Sequence, residues 1–299
     1  MNFRLKSGFY MHISETQWYN LCSLRVGLGQ VRLYEPENLV ALREILQEID
    51  SPPLIVARGS NLIGADNLTI MPVLRLPKSS EFAVVEQLDV CTFRLGAALG
   101  LLEAARILAA RGCGGLAPLA GIPGSLGGAL AMNAGANGQE ISSLVREMRG
   151  WDLRLDRPWH WFREQGGWGY RQSPIAKDVL ILEAVLELYP VQTEDETALI
   201  LAELNRRSLT NPKGASAGSV FRNPSPGNPA GRLLEQAGCK GLSHGSFQVS
   251  QKHANWIINV GGKPGKAEDC RLLVNDMKKR VLDQSGLRLH CEWKWADDA

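Results

Sequence analysis

Polar and apolar positions alternate between strand and helix periods from about residue 31 onward. Val31-Arg32-Leu33-Tyr34 reads as a short strand. Pro36 then opens a segment in which Leu39, Leu42, Ile45, Leu46 and Ile49 recur at helical spacing, with proline where a first helical turn tolerates it. Pro52-Pro53 ends that segment, and Leu54–Ala57 reads as a buried strand, giving a strand–helix–strand unit followed by the loop Arg58–Asn61. Strands are expected at Thr69–Leu76 and Phe82–Gln87, and a helix over Ala97–Arg111 with Ala98, Leu101, Leu102, Ala105 and Leu108 on one face. From Ile141 to Tyr189 short apolar runs are broken by Gly, Pro and Trp, as in β-rich structure, and Val179–Leu188 is the clearest strand. Thr193–Arg207 reads as a helix, and Leu209–Pro229 shifts to Asn, Pro, Gly and Ser. A short helix (Ala230–Ala237), a strand (Asn255–Val260), an amphipathic helix (Ala267–Gln284) and a last strand near Leu287–Trp293 complete the pattern.

Composition narrows the function classes. Thirty-three Lys+Arg against thirty-one Asp+Glu leave a net charge of +2 over 299 residues, with no basic run, so an electrostatic nucleic-acid binder is not expected. The start of the chain has no apolar core long enough for a secretory signal. The longest uncharged stretch, Gly112–Gln139, is long enough to span a bilayer but holds nine glycines and two prolines, so no stable membrane helix is expected there. Cys22, Cys91, Cys113, Cys239, Cys270 and Cys291 are dispersed, with no Cys-x-x-Cys pair and no histidine at ligand spacing. Reduced thiols, no metal site and a cytoplasmic location are the expectation.

The 31 glycines cluster, and glycine lets backbone N–H groups approach an anion closely. Gly112–Ala117 fits G-x-G-x-x-A but follows a helix instead of a strand, so it lacks the context of a dinucleotide fingerprint. No G-x-x-x-x-G-K-[ST] exists, and Pro123 spoils a G-x-S-x-G elbow around Ser125. Read alone, the tract serves a diphosphate or serves tight turns and close packing equally well.

Longer segments carry a resemblance. Arg58-Gly59-Ser60-Asn61-Leu62, Ala120–Gly128 (AGIPGSLGG) and Met132-Asn133-Ala134-Gly135-Ala136 resemble the FAD-binding segments of the UDP-N-acetylenolpyruvoylglucosamine reductases. Ser23–Gly27 (SLRVG), Gly169–Ser173 (GYRQS), Ser216–Pro224 (SAGSVFRNP) and Val249–Asn259 (VSQKHANWIIN) are similar to further family motifs in the same order. The resemblance implies an α+β fold: a two-lobed FAD-binding domain of the vanillyl-alcohol-oxidase-like type plus a smaller α+β substrate domain. The expected ranges are 1–75 and 76–205 for the two FAD-binding lobes, 206–288 for the substrate-binding domain, and 289–299 for a segment returning to the boundary.

The implied chemistry is NADPH-dependent reduction of UDP-N-acetylglucosamine enolpyruvate to UDP-N-acetylmuramate, for peptidoglycan synthesis, through non-covalent FAD. By resemblance, hydride reaches the vinyl carbon C3 and Ser219 delivers the proton to C2. A serine hydroxyl is a weak acid, so that assignment requires a stabilised intermediate. Arg171 matches the arginine beside the substrate carboxylate, where a planar guanidinium can clamp two oxygens. Glu292 matches a late glutamate that stabilises the enol, and a raised pKa in a desolvated site is expected of it. The cofactor set is Arg25, Arg58, Gly59, Ser60, Asn61, Leu62, Gly121, Ile122, Pro123, Gly124, Ser125, Gly127, Gly128, Asn133 and Gly135. Tyr170, Asn223 and His253 fall where the family contacts the UDP-sugar. The partner expected is a small UDP-sugar, for a monomer, and the charge balance and the broken apolar stretch above argue against nucleic acid and membrane.

Several positions depart from the family pattern. Ala57-Arg58 stands where the family has G-x, Ala131 replaces a tyrosine, and Cys291 and Trp293 flank Glu292. The tryptophan-rich segment Trp151–Trp168 matches nothing in the family, and the chain resembles the shorter family branch. An oxidase of the same superfamily and a degenerate flavin- or nucleotide-binding protein are the alternatives. The first is disfavoured because no histidine for flavin attachment lies between His12 and His160. The second is disfavoured because Arg171, Ser219 and Glu292 are all present.

Overall fold

The computed structural model describes residues 2–4, 10–67 and 70–298 and shows an α+β protein. The chain groups into two compact units: residues 1–14, 33–57 and 72–207 in the first, and 15–32, 58–71 and 208–299 in the second. The last transition between the units falls at 207/208. Segments 15–32 and 58–71, placed by sequence in the first lobe, group with the C-terminal residues instead.

The first unit holds most of two five-stranded sheets. In one, the order is Asn2–Arg4, Tyr10–Gln17, Gln30–Glu35, Met71–Leu74 and Leu54–Ile55. The expected strand–helix–strand unit is therefore present, but Met71–Leu74 lies between its two strands and pairs in parallel with Leu54–Ile55. That strand is shorter than the expected Thr69–Leu76, of which Thr69 falls outside the described residues. The helix Leu39–Glu48 starts three residues after Pro36, because Asn38 Oδ1 caps it by accepting from the Ala41 amide at 2.8 Å. Its buried face of Ala41, Leu42 and Ile45 packs with Leu74, Trp151 and Leu180.

The second sheet runs Arg157–Phe162, Val145–Asp152, Val179–Glu187, Thr92–Gly96 and Val85–Asp89, all antiparallel. The strand expected from Phe82 begins at Val85, since Glu81–Ala83 is a single 3-10 turn capped by Ser80. The helix expected from Ala97 begins at Leu101 and ends at Ala109. Residues 97–99 are diverted by tertiary hydrogen bonds: the Ala97 and Leu99 carbonyls accept from the Gly127 and Leu126 amides at 2.9 and 2.8 Å. The tryptophans of the segment 151–168 pack in the core of this unit or against it. Trp151 and Trp161 are buried, and Trp168 meets Trp161 edge-on at 5.4 Å.

In the second unit the helix Ala267–Ser285 buries Ala267, Cys270, Leu273, Val274, Met277 and Val281, the stripe its periodicity requires. It ends at Gly286, which takes the left-handed conformation that stops helices. A three-stranded sheet (Ser243–His244, Phe247–Val249, Ile257–Asn259) and the helix Ala230–Gln236 complete this unit's core. The last strand falls at Lys294–Trp295, beyond the expected Leu287–Trp293, and pairs in parallel with Leu62–Ile63.

Candidate functional site

In the second unit, three of the singled-out segments lie side by side. The stretch Ser219–Arg222 pairs on one flank with Trp256 through the bridge at Ser219, and on the other with Cys291 through the bridge at Phe221. The Glu292 amide donates to the Val220 carbonyl at 2.8 Å, and the Arg222 amide to the His290 carbonyl at 3.0 Å. Asn61 closes the row: its Nδ2 donates to the Glu292 carbonyl at 3.0 Å, and its own carbonyl accepts from the Lys294 amide at 3.0 Å. Ser219, Glu292 and the loop Arg58–Leu62 are thus neighbours by backbone pairing. Ser219 and Glu292 are both half-buried, so the desolvation expected at Glu292 is only partial.

The pairing is irregular just before Ser219. Ala215 bridges Asn259 and Ser219 bridges Trp256, both as isolated bridges, so one segment spends four residue steps where its partner spends three. The extra residue falls in a segment that includes Gly218, whose φ is +76°.

Gly59 anchors the cofactor-like loop. Its φ is +62°, and a Cβ there would lie 1.7 Å from the Leu21 carbonyl oxygen. The Gly59 carbonyl accepts from both the amide and the hydroxyl of Ser23, at 3.1 and 3.2 Å. Ser23 Oγ also reaches the Ser216 carbonyl at 2.7 Å. Ala57, where the family carries glycine, is not among the positive-φ residues, so the exchange strains no backbone. Arg58 is exposed. Arg25, also exposed, has a φ of +59°, and its carbonyl accepts from the Gly265 amide at 3.0 Å.

The glycine tract and Arg171 belong to the first unit. Ser125 caps the helix Leu126–Ala131, and the first helical amides are already taken by Leu99, Ala97 and the Ser125 hydroxyl. Among the described residues, the amides of Gly124 and Ser125 have no acceptor, and Gly124 holds a φ of +149° that side chains avoid. Close approach explains three other glycines: a Cβ at Gly127 would meet Ala97, one at Gly128 would meet the Ala57 methyl, and one at Gly121 would strike the Arg207 side chain at 2.3 Å. Ile122 is half-buried and Pro123 exposed. Arg207 is held by Glu203, whose carboxylate also accepts from Arg206 and Asn137. The Arg206 hydrogen bond, with those of Arg207 and Asn137, pushes the Glu203 pKa down to about 2 against the pull of burial.

Tyr170 and Arg171 form the tip of a tight turn closed by reciprocal hydrogen bonds between Gly169 and Gln172. Arg171 has a φ of +54°, its Nη2 donates to the Gly135 carbonyl at 3.1 Å, and its guanidinium stacks 5.1 Å from the Tyr170 ring. Asn133, fully buried at a φ of +41°, donates to Glu140 at 2.8 Å and to the Gly169 carbonyl at 2.9 Å, and accepts from the Ser142 amide. Its side chain is therefore committed to the protein and braces the Arg171 turn, a role that no pattern along the chain could signal. Arg25, Asn133 and Arg171 are three of the five non-glycine residues with positive φ among the described residues, and such strain collects at functional positions.

Two expected substrate contacts also have structural duties. Asn223 Oδ1 accepts from the Ala230 amide at 2.9 Å and so caps the helix that begins there. His253 Nδ1 accepts from the Asn255 amide at 3.2 Å, and burial pulls the His253 pKa below its ordinary value. Asn255, which sequence reading passed over, is the buried carboxamide on the Ser219 stretch. No cluster of metal-binding side chains occurs among the described residues, and no helix is long and apolar enough to cross a membrane.

The chain matches the C-terminal domain of the UDP-N-acetylenolpyruvoylglucosamine reductases over residues 210–296 and an FAD binding domain over residues 31–152. UDP-N-acetylenolpyruvoylglucosamine reductase 2 of Symbiobacterium thermophilum is 37% identical over 268 residues, 88% of this chain and 84% of the relative. The reductase of Alkalilimnicola ehrlichii is 37% identical over 293 residues, 96% and 94% of the two chains. The crystal structure of the Thermus caldophilus enzyme aligns with a TM-score of 0.79 at 30% identity, covering 95% of this chain and 99% of that one.

Proposed function

The chain belongs to the UDP-N-acetylenolpyruvoylglucosamine reductase family and is an FAD-dependent oxidoreductase, and from that premise we propose that it reduces UDP-N-acetylglucosamine enolpyruvate to UDP-N-acetylmuramate for peptidoglycan synthesis. NADPH is the electron donor, and FAD, bound without a covalent link, would supply hydride to C3 of the vinyl group. In the first unit the unengaged Gly124 and Ser125 amides suit close backbone approach to a diphosphate. Arg58 to Leu62 in the second unit and Gly121 to Gly135 in the first are assigned to it, Asn133 through its backbone alone.

As C3 gains hydride, negative charge develops toward C2 and its carboxylate. Arg171 holds that carboxylate as a bidentate partner, with its guanidinium oriented by the Gly135 carbonyl and the Tyr170 ring. The Ser219 hydroxyl gives its proton to C2, completing addition of hydride and proton across the double bond, and Glu292 stabilises the enol. Tyr170, Asn223 and His253 are assigned to the UDP-sugar. The residue ranges 1–75 and 76–205 are assigned to FAD and 206–288 to substrate, in a cytoplasmic monomer that needs neither nucleic acid nor membrane.

The observation that supports this reading is the 2.8 Å hydrogen bond from the Glu292 amide to the Val220 carbonyl, which makes the segments of Ser219 and Glu292 neighbours. Ser219→Ala tests it. Flavin reduction by NADPH is expected to stay near normal while reoxidation by the enolpyruvyl substrate slows about 100-fold or more. Equal loss in both half-reactions would refute the proton-donor assignment.

A further inference from the structure

The strand that carries Ser219 lacks a full partner at Phe221. Antiparallel pairing proceeds through Ser219 with Trp256, and the Val220 amide donates to the Asn255 carbonyl at 2.9 Å. There the partner chain turns away: the Trp256 amide bonds to the His253 carbonyl and the Asn255 amide to His253 Nδ1. The peptide groups of Phe221 would go unpaired on that side, in a residue that is 1% exposed. The Asn255 carboxamide supplies the missing rung. Its Oδ1 accepts from the Phe221 amide at 3.0 Å, and its Nδ2 donates to the Phe221 carbonyl at 2.9 Å.

A carboxamide is the one short side chain that offers a donor and an acceptor in the spacing of a peptide group. With the Glu292 and Arg222 amides bonding across the other flank, both edges of the Ser219–Arg222 stretch are fixed. On the other side of Ser219 the chain is irregular, with Gly218 at a φ of +76° and its amide donating to the Ser216 hydroxyl at 3.1 Å, so the regular rungs that hold Ser219 are those at Val220 and Phe221.

We propose that Asn255 is the positioning residue of the Ser219 hydroxyl, its carboxamide standing in for a strand rung so that the hydroxyl meets C2 of the substrate in register. The inference rests on the proton-donor role assigned above. Asn255 itself touches no reacting atom and acts only through the Ser219 strand. Misplacement of a reacting group by about 1 Å costs on the order of 100-fold in rate.

The test is stopped-flow measurement of both half-reactions in the holoenzyme carrying Asn255→Asp, across pH. The new carboxyl keeps an acceptor for the Phe221 amide but, when ionised, sets an anion against the Phe221 carbonyl. When protonated it can donate there as the amide did. Burial and the facing carbonyl raise its pKa, so the defect is expected to be large at high pH and to shrink on acidification. Flavin reduction should stay within about twofold of wild type, and reoxidation by UDP-N-acetylglucosamine enolpyruvate should slow about 10- to 100-fold at high pH. His253 on the Asn255 segment and Cys291 and Glu292 on the far flank of the Ser219 stretch are titratable neighbours, and the wild-type profile removes their contribution.

Loss in both half-reactions alike, or a reoxidation defect that ignores pH, would overturn the positioning role. If Asn255→Asp does not fold, Asn255→Ser, which keeps a short hydroxyl able to serve one Phe221 group, is read in its place. Slowed reoxidation with intact reduction then supports the role, and equal rates overturn it. Ser219→Ala separates this inference from the reading beneath it. Slow reoxidation there with normal reoxidation in the Asn255 variants refutes only the positioning role. Normal reoxidation in Ser219→Ala refutes the proton-donor assignment itself.

Discussion

Gly59→Ala is the sharpest perturbation of the cofactor-like loop. Two independent costs fall on the added methyl. An L-residue at the φ of +62° found there loses roughly 1–2 kcal/mol. The Cβ would also lie 1.7 Å from the Leu21 carbonyl oxygen, and that atom is backbone, so no side chain can rotate aside. Overpacking of this kind costs about 1–3 kcal/mol once the chain has shifted. The shift itself would carry away the Gly59 carbonyl that accepts twice from Ser23. A loss of about 2–5 kcal/mol is expected, against a total stability of roughly 5–15 kcal/mol. The assay is urea unfolding of the purified protein, with bound flavin quantified on the same samples. Ala57→Gly is the paired control: Ala57 is not among the positive-φ residues, so its change is expected to stay within about 1 kcal/mol, as for a Gly/Ala exchange in an unstrained loop. Wild-type stability in Gly59→Ala would refute the close approach, and equal effects at positions 57 and 59 would refute its location.

Two further outcomes follow from the geometry. The Glu203 carboxyl titrates near 2 in the folded protein instead of its ordinary 4.5, so its contribution is complete above about 4.5 and lost as pH falls toward 2; unfolding free energy measured over that window should fall less steeply with acid in Glu203→Gln than in wild type, and an unchanged slope would contradict the Arg206 and Arg207 pairing. Arg171→Lys retains the charge but not the planar fork, so kcat/KM for the enolpyruvyl substrate should drop about 100-fold, and near-normal turnover would refute the carboxylate clamp.

Periodicity located the long elements because their burial is periodic. The helix Ala267–Ser285 shows this, with its stripe from Ala267 to Val281 buried. The helix Thr193–Thr210 was legible in extent but not in orientation. It buries Glu196 and Glu203 while leaving Leu199 and Leu201 more than half exposed. The reason is polar: Glu196 Oε1 accepts from the Gly115 and Ala117 amides at 3.1 and 3.2 Å, and Glu203 gathers Arg206, Arg207 and Asn137. No apolar pattern encodes a helix whose inner face serves a glycine tract. The chemistry-bearing motifs were legible as words, since Gly59 and Gly218 answer to positive φ and Gly121 to a close approach. The bracing side chains were not. Asn133, Asn255 and Asn61 each bond backbone groups 34 or more residues away, through contacts that local sequence cannot express.

The central claim is a reaction, and its most direct test is spectroscopic. The purified protein is reduced anaerobically with NADPH, and UDP-N-acetylglucosamine enolpyruvate is then added in stoichiometric amount while the flavin absorbance is followed. The account predicts full return of the oxidised flavin spectrum with one UDP-N-acetylmuramate formed per flavin. A flavin that is reduced by NADPH but stays reduced in the presence of that substrate would contradict it.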